Sequence, residues 1–243
     1  MMETFERNIH RAVGMSDMAL LLAAAFRFSE DGKLAAALAD GSFLSDWVAS
    51  WQDACDDAPL GDRLVERCRM AFSRAEHAAL RCEHSRLFLP KGSECVVWPY
   101  ESCFLHKESG VEGVPFLFRT PIALDVERQM AEAGVRFENA RTEPGDSVQV
   151  ECEFLAHLYA QWGEALRRGV AGEAVETPAG EWAGRIASFA SDHVLKWLPS
   201  FMSRTKVSAH AEVYGGLADL GLLYLEELEE DARIFSAREA VIA

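Results

Sequence analysis

The 243-residue chain has little of what usually announces an enzyme, a metalloprotein or a nucleic-acid binder. It contains no Walker loop and no G-x-G-x-x-G fingerprint, which removes the common phosphate and dinucleotide cradles. Its six cysteines, Cys55, Cys68, Cys82, Cys95, Cys103 and Cys152, form no C-x-x-C pair. Several fall in helical apolar patterns, where a free thiol behaves as a small buried hydrophobe. Nothing else points to the oxidising compartment that disulfides require. Positive charge is scarce: 24 basic residues stand against 39 acidic ones, a formal charge of −15. No basic cluster is interleaved with aromatics, and so acidic a surface repels nucleic-acid phosphates and anionic lipid heads. No apolar run approaches the roughly 20 residues of a membrane-spanning helix. Met18 to Phe26 is apolar and follows Arg7 and Arg11, but Glu3, Glu6 and Asp17 spoil the charge pattern of a signal peptide. The expectation is a cytoplasmic protein with an amphipathic first helix, no integral membrane segment and no nucleic-acid partner.

Strand alternation is nearly absent as well; Val96 to Trp98 and Val148 to Val150 are too short to count. What is present is helical period. Val150, Phe154, Leu155, Leu158, Trp162 and Leu166 recur at three- and four-residue steps. Ile186, Ala190, His193, Trp197 and Phe201 share one face, as do Val213, Leu217, Leu220, Tyr224 and Leu228. Hydrophobic residues make up 49% of the chain, enough to build a core that offsets chain entropy. Breakers set the joints. Asp40-Gly41 closes a first helical hairpin, with Ser42 or Ser45 available to cap the next helix. A long helix is expected from near Leu60 to Pro90–Gly92. Loops are expected at Gly110–Pro121, Thr142–Gly145 and Gly172–Gly180, with Thr120-Pro121 starting a helix. No internal repeat or low-complexity linker appears. The predicted fold is all-α, a single domain over residues 1–243, built from about ten helices.

Little conventional chemistry survives inspection. Cys82, His84, Cys95, Cys103 and His106 include Cys-x-His and Cys-x-x-His spacings, but neither is specific for tetrahedral zinc, and Cys82 suits a helix core equally. No metal and no cofactor are expected. Gly145-Asp146-Ser147 resembles the nucleophile block of GDS-type esterases, yet it sits mid-chain with no strand before it. Asp146 or Ser147 capping the helix through Phe154 and Leu158 is the simpler reading. The acidic run Glu226 to Asp231 reads as a solvated helix face. His193 stands out because it interrupts an apolar stripe, with Asp192 beside it. It is either a satisfied core histidine or a polar group lining an apolar groove.

Three stretches together carry a resemblance. The first is Leu80-Arg81-Cys82-Glu83-His84-Ser85-Arg86-Leu87-Phe88-Leu89, followed by Trp98-Pro99-Tyr100-Glu101-Ser102. The second is Glu143-Pro144-Gly145-Asp146-Ser147, continuing through Glu151 to Leu158. The third is His193-x-x-x-Trp197-Leu198-Pro199-x-Phe201, then Tyr214-x-x-Leu217-Ala218. In order and spacing they resemble the E-Y-x-R-L-F … P-Y-E-S, E-P-x-D-H and H-x-x-x-W-x-P-x-F motifs of the TorD/DmsD/NarJ chaperones. Two departures stand out. His84 replaces the aromatic before R-L-F, and Ser147 replaces the histidine of E-P-x-D-H. In the family that histidine position is associated with the client or with a guanine nucleotide. Ser147 cannot titrate as an imidazole, which counts against nucleotide binding here.

The resemblance implies a chaperone rather than an enzyme. Its client would be a molybdenum-cofactor oxidoreductase of the dimethyl sulfoxide reductase family. It would hold the apoprotein and its twin-arginine leader until the cofactor is inserted, so delaying export. A leader of this type carries two guanidiniums and an apolar stretch. Trp98, Tyr100, Trp197 and Phe201 are the expected aromatic wall for the apolar part, in the manner of helix-in-groove recognition. Glu101, Glu143, Asp146 and Asp192 are the expected carboxylates for the guanidiniums. Pro99, Ser102, Pro144, Ser147 and His193 complete the expected peptide site. The family is compatible with a monomer or a helix-exchanged dimer. Two alternatives remain open at this level: a weak nucleotide-binding or hydrolysing enzyme, and an assembly factor for the mature body of a cofactor enzyme.

Overall fold

The helical stripes of the sequence become eleven α-helices in a computed structural model that describes residues 2–56, 58–92, 94–136 and 143–242. In chain order they are α1 (Met2–Phe26), α2 (Lys33–Ala39), α3 (Ser42–Ala54), α4 (Asp62–Phe72), α5 (His77–Phe88), α6 (Glu101–Glu108), α7 (Pro121–Glu132), α8 (Val148–Val170), α9 (Ala179–Phe189), α10 (Leu195–Ser208) and α11 (Glu212–Ile242). A π turn, Ala190–Val194, joins α9 to α10 without a break, so ten separate rods result. Among the described residues there is no strand, only the isolated bridges Lys91–Glu94 and Tyr100–Ser147. Thr142, where the second loop is expected to begin, lies outside the described residues.

α8 is the spine. α1 lies along it on one side and α9 on another, while α11 packs on α9, α10 and α4. One apolar cluster runs from Ala12 in α1 to Phe235 in α11. The contact between α1 and α3 depends on Gly14. A Cβ there would collide with the Ser50 carbonyl and the Ala54 amide, so only glycine lets the two backbones approach. The expectation that no segment is long and apolar enough to cross a bilayer is corrected at α1. By length and composition Phe5–Phe26 qualifies, although more than half of it is buried inside the protein. An apolar helix wedged between α3 and α8 passes the same test as a membrane span.

Several helix ends follow the sequence signals. The Thr120 hydroxyl accepts from the Ala123 amide at 3.0 Å, with Pro121 in the first turn of α7. Others do not. Neither Ser42 nor Ser45 caps α3; Gly41, at φ 84°, holds that place, and Asp40 Oδ1 accepts from the Ser42 amide at 2.9 Å. The long helix expected from Leu60 to Pro90 breaks into α4 and α5. No glycine or proline marks the break. The Ser73 hydroxyl donates to the Met70 carbonyl at 3.0 Å, a local bond that competes with the helical ladder.

The acidic run near the C-terminus is also corrected. Asp231 is buried, and Arg11 bonds to it at 2.7 Å and to Glu227 at 3.0 Å. The Tyr159 hydroxyl donates to the same Asp231 at 2.7 Å. This cluster fastens the first helix, the last helix and the spine. A second fastening uses Glu83, which takes a two-pronged bond from Arg86 at 2.8 Å and the amides of His210 and Ala211. The Arg86 bond, helped by the two amides, holds the Glu83 carboxyl down at about 2, and it pins the α10–α11 turn.

Candidate functional site

The backbone brings two of the three motifs side by side. The Glu101 amide donates to the Asp146 carbonyl at 2.8 Å, and the Val148 amide donates to the Pro99 carbonyl at 3.0 Å. From this crossing α6 and α8 both start. The Ser147 hydroxyl accepts from the Val150 amide at 3.3 Å and caps α8. Asp146 was the other candidate for that cap, but its Oδ2 instead accepts from the Ser102 amide at 2.9 Å, at the start of α6. So the loop carrying Asp146 and Ser147 closes two helix ends at once, and the Ser147 hydroxyl serves as a cap.

The third motif meets them from the opposite side. The π turn inserts an extra residue into the helix and aims His193 inward; such turns recur at functional sites. His193 Nδ1 lies 2.7 Å from Glu101 Oε2, and its Nε2 lies 3.0 Å from Asp125 Oδ2. Burial alone would lower the imidazole. The two carboxylates outweigh it and hold His193 above its ordinary value, which favours the charged imidazolium. Asp125 is drawn down to about 2: burial opposes this, but bonds from Arg128, Gln129 and His193 prevail.

Behind Glu101 lies Glu151, wholly buried on α8, which accepts from the Trp197 indole at 2.9 Å. Burial, then the neighbouring Glu101, push the Glu151 carboxyl well above the usual range. Asp146, also buried, is raised by desolvation too. Hydrogen bonds join Arg128, Asp125, His193 and Glu101, and Glu151, next to Glu101, is bonded in turn to Trp197, so the six side chains form one polar chain. It threads α7, the π turn, α6, α8 and α10. It ties five elements together.

The expected site residues divide sharply. Glu101, Asp146, Ser147, His193 and Trp197 come together within or beside this chain. Pro99, Tyr100 and Ser102 are half-buried at its edge, as is Glu143, and Pro144 is buried. The expected aromatic wall is largely core. Trp98, Trp197 and Phe201 are buried, with the Phe201 ring 5.4 Å from Phe26 and 5.6 Å from Phe88. A helical apolar stripe fits a core as well as a groove, and here α1, α5, α6, α8 and α11 cover it. Only Tyr100 of that wall reaches the surface. Asp192 faces away from its neighbour His193, into a cleft of about 610 Å³ between α7, α8 and α9.

Three members of the polar chain, Asp125, Arg128 and Glu151, were not among the expected site residues. Asp125 follows the Thr120-Pro121 signal, and its Arg128 and Gln129 partners stand at helical spacing. Glu151 sits among Val150, Phe154 and Leu155, a carboxylate on a buried stripe. A lone acid on such a stripe was the available signal.

The sulfur and imidazole groups weighed for metal binding point apart. Cys82 is exposed, whereas the Cys95 and Cys103 thiols face backbone carbonyls. Burial pushes those two thiols up to about 11 and about 12. His84 Nε2 lies 3.0 Å from the Phe26 carbonyl, and its ring packs edge-on to Phe28 and Phe88. It thus fills an aromatic position, and burial keeps it neutral. Among the described residues, no group of three or more His, Cys, Asp or Glu side chains could hold a metal ion.

The same segments that build this crossing match known proteins. The family described as the nitrate reductase delta subunit matches residues 53–203, more than half of the chain. The chain is also similar to the chaperone protein TorD of Vibrio cholerae serotype O1. The two are 25% identical over 165 residues, 68% of this chain and 67% of that one. The matched span runs from the end of α3 to α10 and includes every residue of the polar chain, so this chain belongs to the nitrate reductase delta subunit family, that of the TorD/NarJ-type chaperones.

Proposed function

We propose that the protein is a cytoplasmic maturation chaperone for a molybdenum-cofactor oxidoreductase, and that it binds the apo client through its twin-arginine leader. The observation that carries this reading is the meeting of the three motif segments at the start of α6 and α8, against the π turn. Family membership supports the chaperone class. The formal charge of −15 suits a client segment that carries guanidiniums, speeding encounter and making binding salt-dependent. At the edge of the polar chain, Tyr100, Ser102 and Glu143 offer surface, and Asp192 is exposed in the cleft between α7, α8 and α9. These are the groups proposed to touch the leader. The buried members would act by holding the α6, α7 and α8 starts in place.

A direct test is titration of the protein with a synthetic twin-arginine leader, and with a version in which both arginines are alanine. Micromolar or tighter binding to the first and loss of binding to the second is expected. Equal affinity for the two peptides would remove the leader from the reading.

One observation favours a second reading. Trp197 and Phe201 have no exposed surface, so an aromatic groove is closed in this structure. An assembly factor that grips the mature body of a cofactor enzyme would need no such groove. A leader-deleted client that still co-purifies in full would favour it.

A further inference from the structure

The segment between α6 and α7 was expected only to be a loop, yet its side chains are arranged unlike those of an ordinary one. Thirteen large apolar side chains are exposed among the described residues, and five of them fall between positions 111 and 124. These are Val111, Val114, Phe116, Phe118 and Leu124. Phe116 is 83% exposed, more than any other aromatic ring described. Scattered apolar side chains are normal on a surface; a cluster this dense marks a contact.

The backbone of the loop is tied down while its side chains are not. The Cys103 thiol faces the Phe116 carbonyl at 3.5 Å, and Lys107 Nζ lies 3.5 Å from the Gly113 carbonyl. Pro115 is buried. Arg119 adopts φ 57°, a left-handed conformation that costs free energy in a non-glycine residue. Thr120 then caps α7. Phe116 and Phe118 are therefore held outward by anchored neighbours.

The pad lies next to acid. On α7, Glu127 stands one turn beyond Leu124, about 4.5 Å further along the axis. Its side chain lies against Gly145, in the Glu143–Ser147 segment. Neither Glu127 nor Glu143 forms an ion pair among the described residues. An apolar pad thus adjoins two carboxylates. A leader has the matching order, guanidiniums followed by an apolar stretch. An anionic membrane surface fits worse, because Glu127, Glu143 and the net charge of −15 all repel it.

Resting on the leader-binding reading, we infer that residues 111–118, with Leu124, form the docking pad for the apolar stretch of the client's leader, and that Glu127 and Glu143 receive its arginines. The pad is the apolar half of the recognition surface and takes the place of the buried aromatic stripe.

The test is a double comparison by fluorescence anisotropy. One peptide carries two adjacent arginines followed by a leucine–alanine stretch; in the other, serines replace the leucines. The full-length protein is compared with V114S/F116S, whose substitutions are at exposed positions and are expected to leave the thermal midpoint unchanged. The inference expects the double variant to bind the leucine peptide at least tenfold more weakly. With the serine peptide, the two proteins should bind alike. Equal binding of the leucine peptide by both proteins overturns the pad while leaving the leader reading standing. Absence of leader binding by the unchanged protein overturns both. Two other outcomes also overturn the pad. One is loss of a dimer in V114S/F116S by sedimentation. The other is Phe116-dependent binding to phosphatidylglycerol vesicles without peptide binding.

Discussion

Two buried charge clusters hang on α8 two turns apart, and they solve the same physical problem differently. At Tyr159, the cluster is built on Arg11, whose guanidinium stays charged at any pH a protein survives. It joins the first helix to the last through Asp231 and Glu227. At Glu151, the cluster is built on His193 and on a buried carboxyl pushed well above the usual range by desolvation and by Glu101. Burying charge is costly in both places, and each compensates with direct hydrogen bonds. The Arg11 cluster is a fixed rivet. The His193 cluster can gain and lose protons, and it lies under the segments proposed to meet the client. A fold that needed only rigidity would be served by two rivets.

Removing the rivet's cation should have the largest effect. Arg11→Met leaves Asp231 buried without a counter-charge and is expected to cost about 3–5 kcal/mol in urea unfolding. A loss below about 1 kcal/mol would mean that the cluster behaves as an ordinary surface pair.

His193→Gln comes next, at about 1–3 kcal/mol, because the amide can replace one hydrogen bond but no charge. This variant also reads the pH behaviour. His193 is raised in the fold, so its stabilisation is complete below the ordinary imidazole range near 6.5 and disappears as pH climbs past the raised value. His84 and His157 are lowered by burial and act in the opposite sense, gaining stability as pH rises toward neutrality. The difference between wild-type and H193Q urea midpoints isolates the first contribution. It should shrink as pH is raised above neutrality. A difference independent of pH would show that the histidine is neutral in the fold.

Glu151→Gln should be the mildest, within about 1 kcal/mol, since an amide imitates a protonated carboxyl. If it costs as much as Arg11→Met, Glu151 is ionised and the contrast between the clusters collapses.

The two clusters also differed in how readable they were. His193 announced itself because a polar residue broke an apolar stripe, and the motif likeness tied it to Glu101 and Asp146. Arg11 and Asp231 gave no such sign. They stand 220 positions apart, and Asp231 closes an acidic run in which Glu226, Glu229 and Glu230 are exposed and only Glu227 joins it at Arg11. Helical stripes, the Thr120-Pro121 start and the Ser147 cap were legible because they depend on neighbours a few residues away. The break between α4 and α5 was not, since no glycine or proline marks it. The Trp197–Phe201 stripe showed that a face must be covered but not by what. That answer came from α1, α5, α6, α8 and α11. The exposed Phe116 loop lay in plain sight, but composition alone does not say which apolar loop residues find a core.

The π turn has a consequence that concerns length rather than chemistry. The Leu195 amide reaches back five residues to the Ala190 carbonyl, one more than an α-helix spans. Pro199 follows four residues later and has no amide to offer the Leu195 carbonyl, so the helix is already unable to bond regularly there. A chain one residue shorter at this point would turn all of α10 by about 100°. Trp197 would leave Glu151, and Phe201 would leave Phe88. Ser191 and Asp192 are exposed, so either side chain can be exchanged at little cost to the fold. Deleting either residue would not be equivalent, because there the register itself, and not the side chain, is what the molecule has to keep.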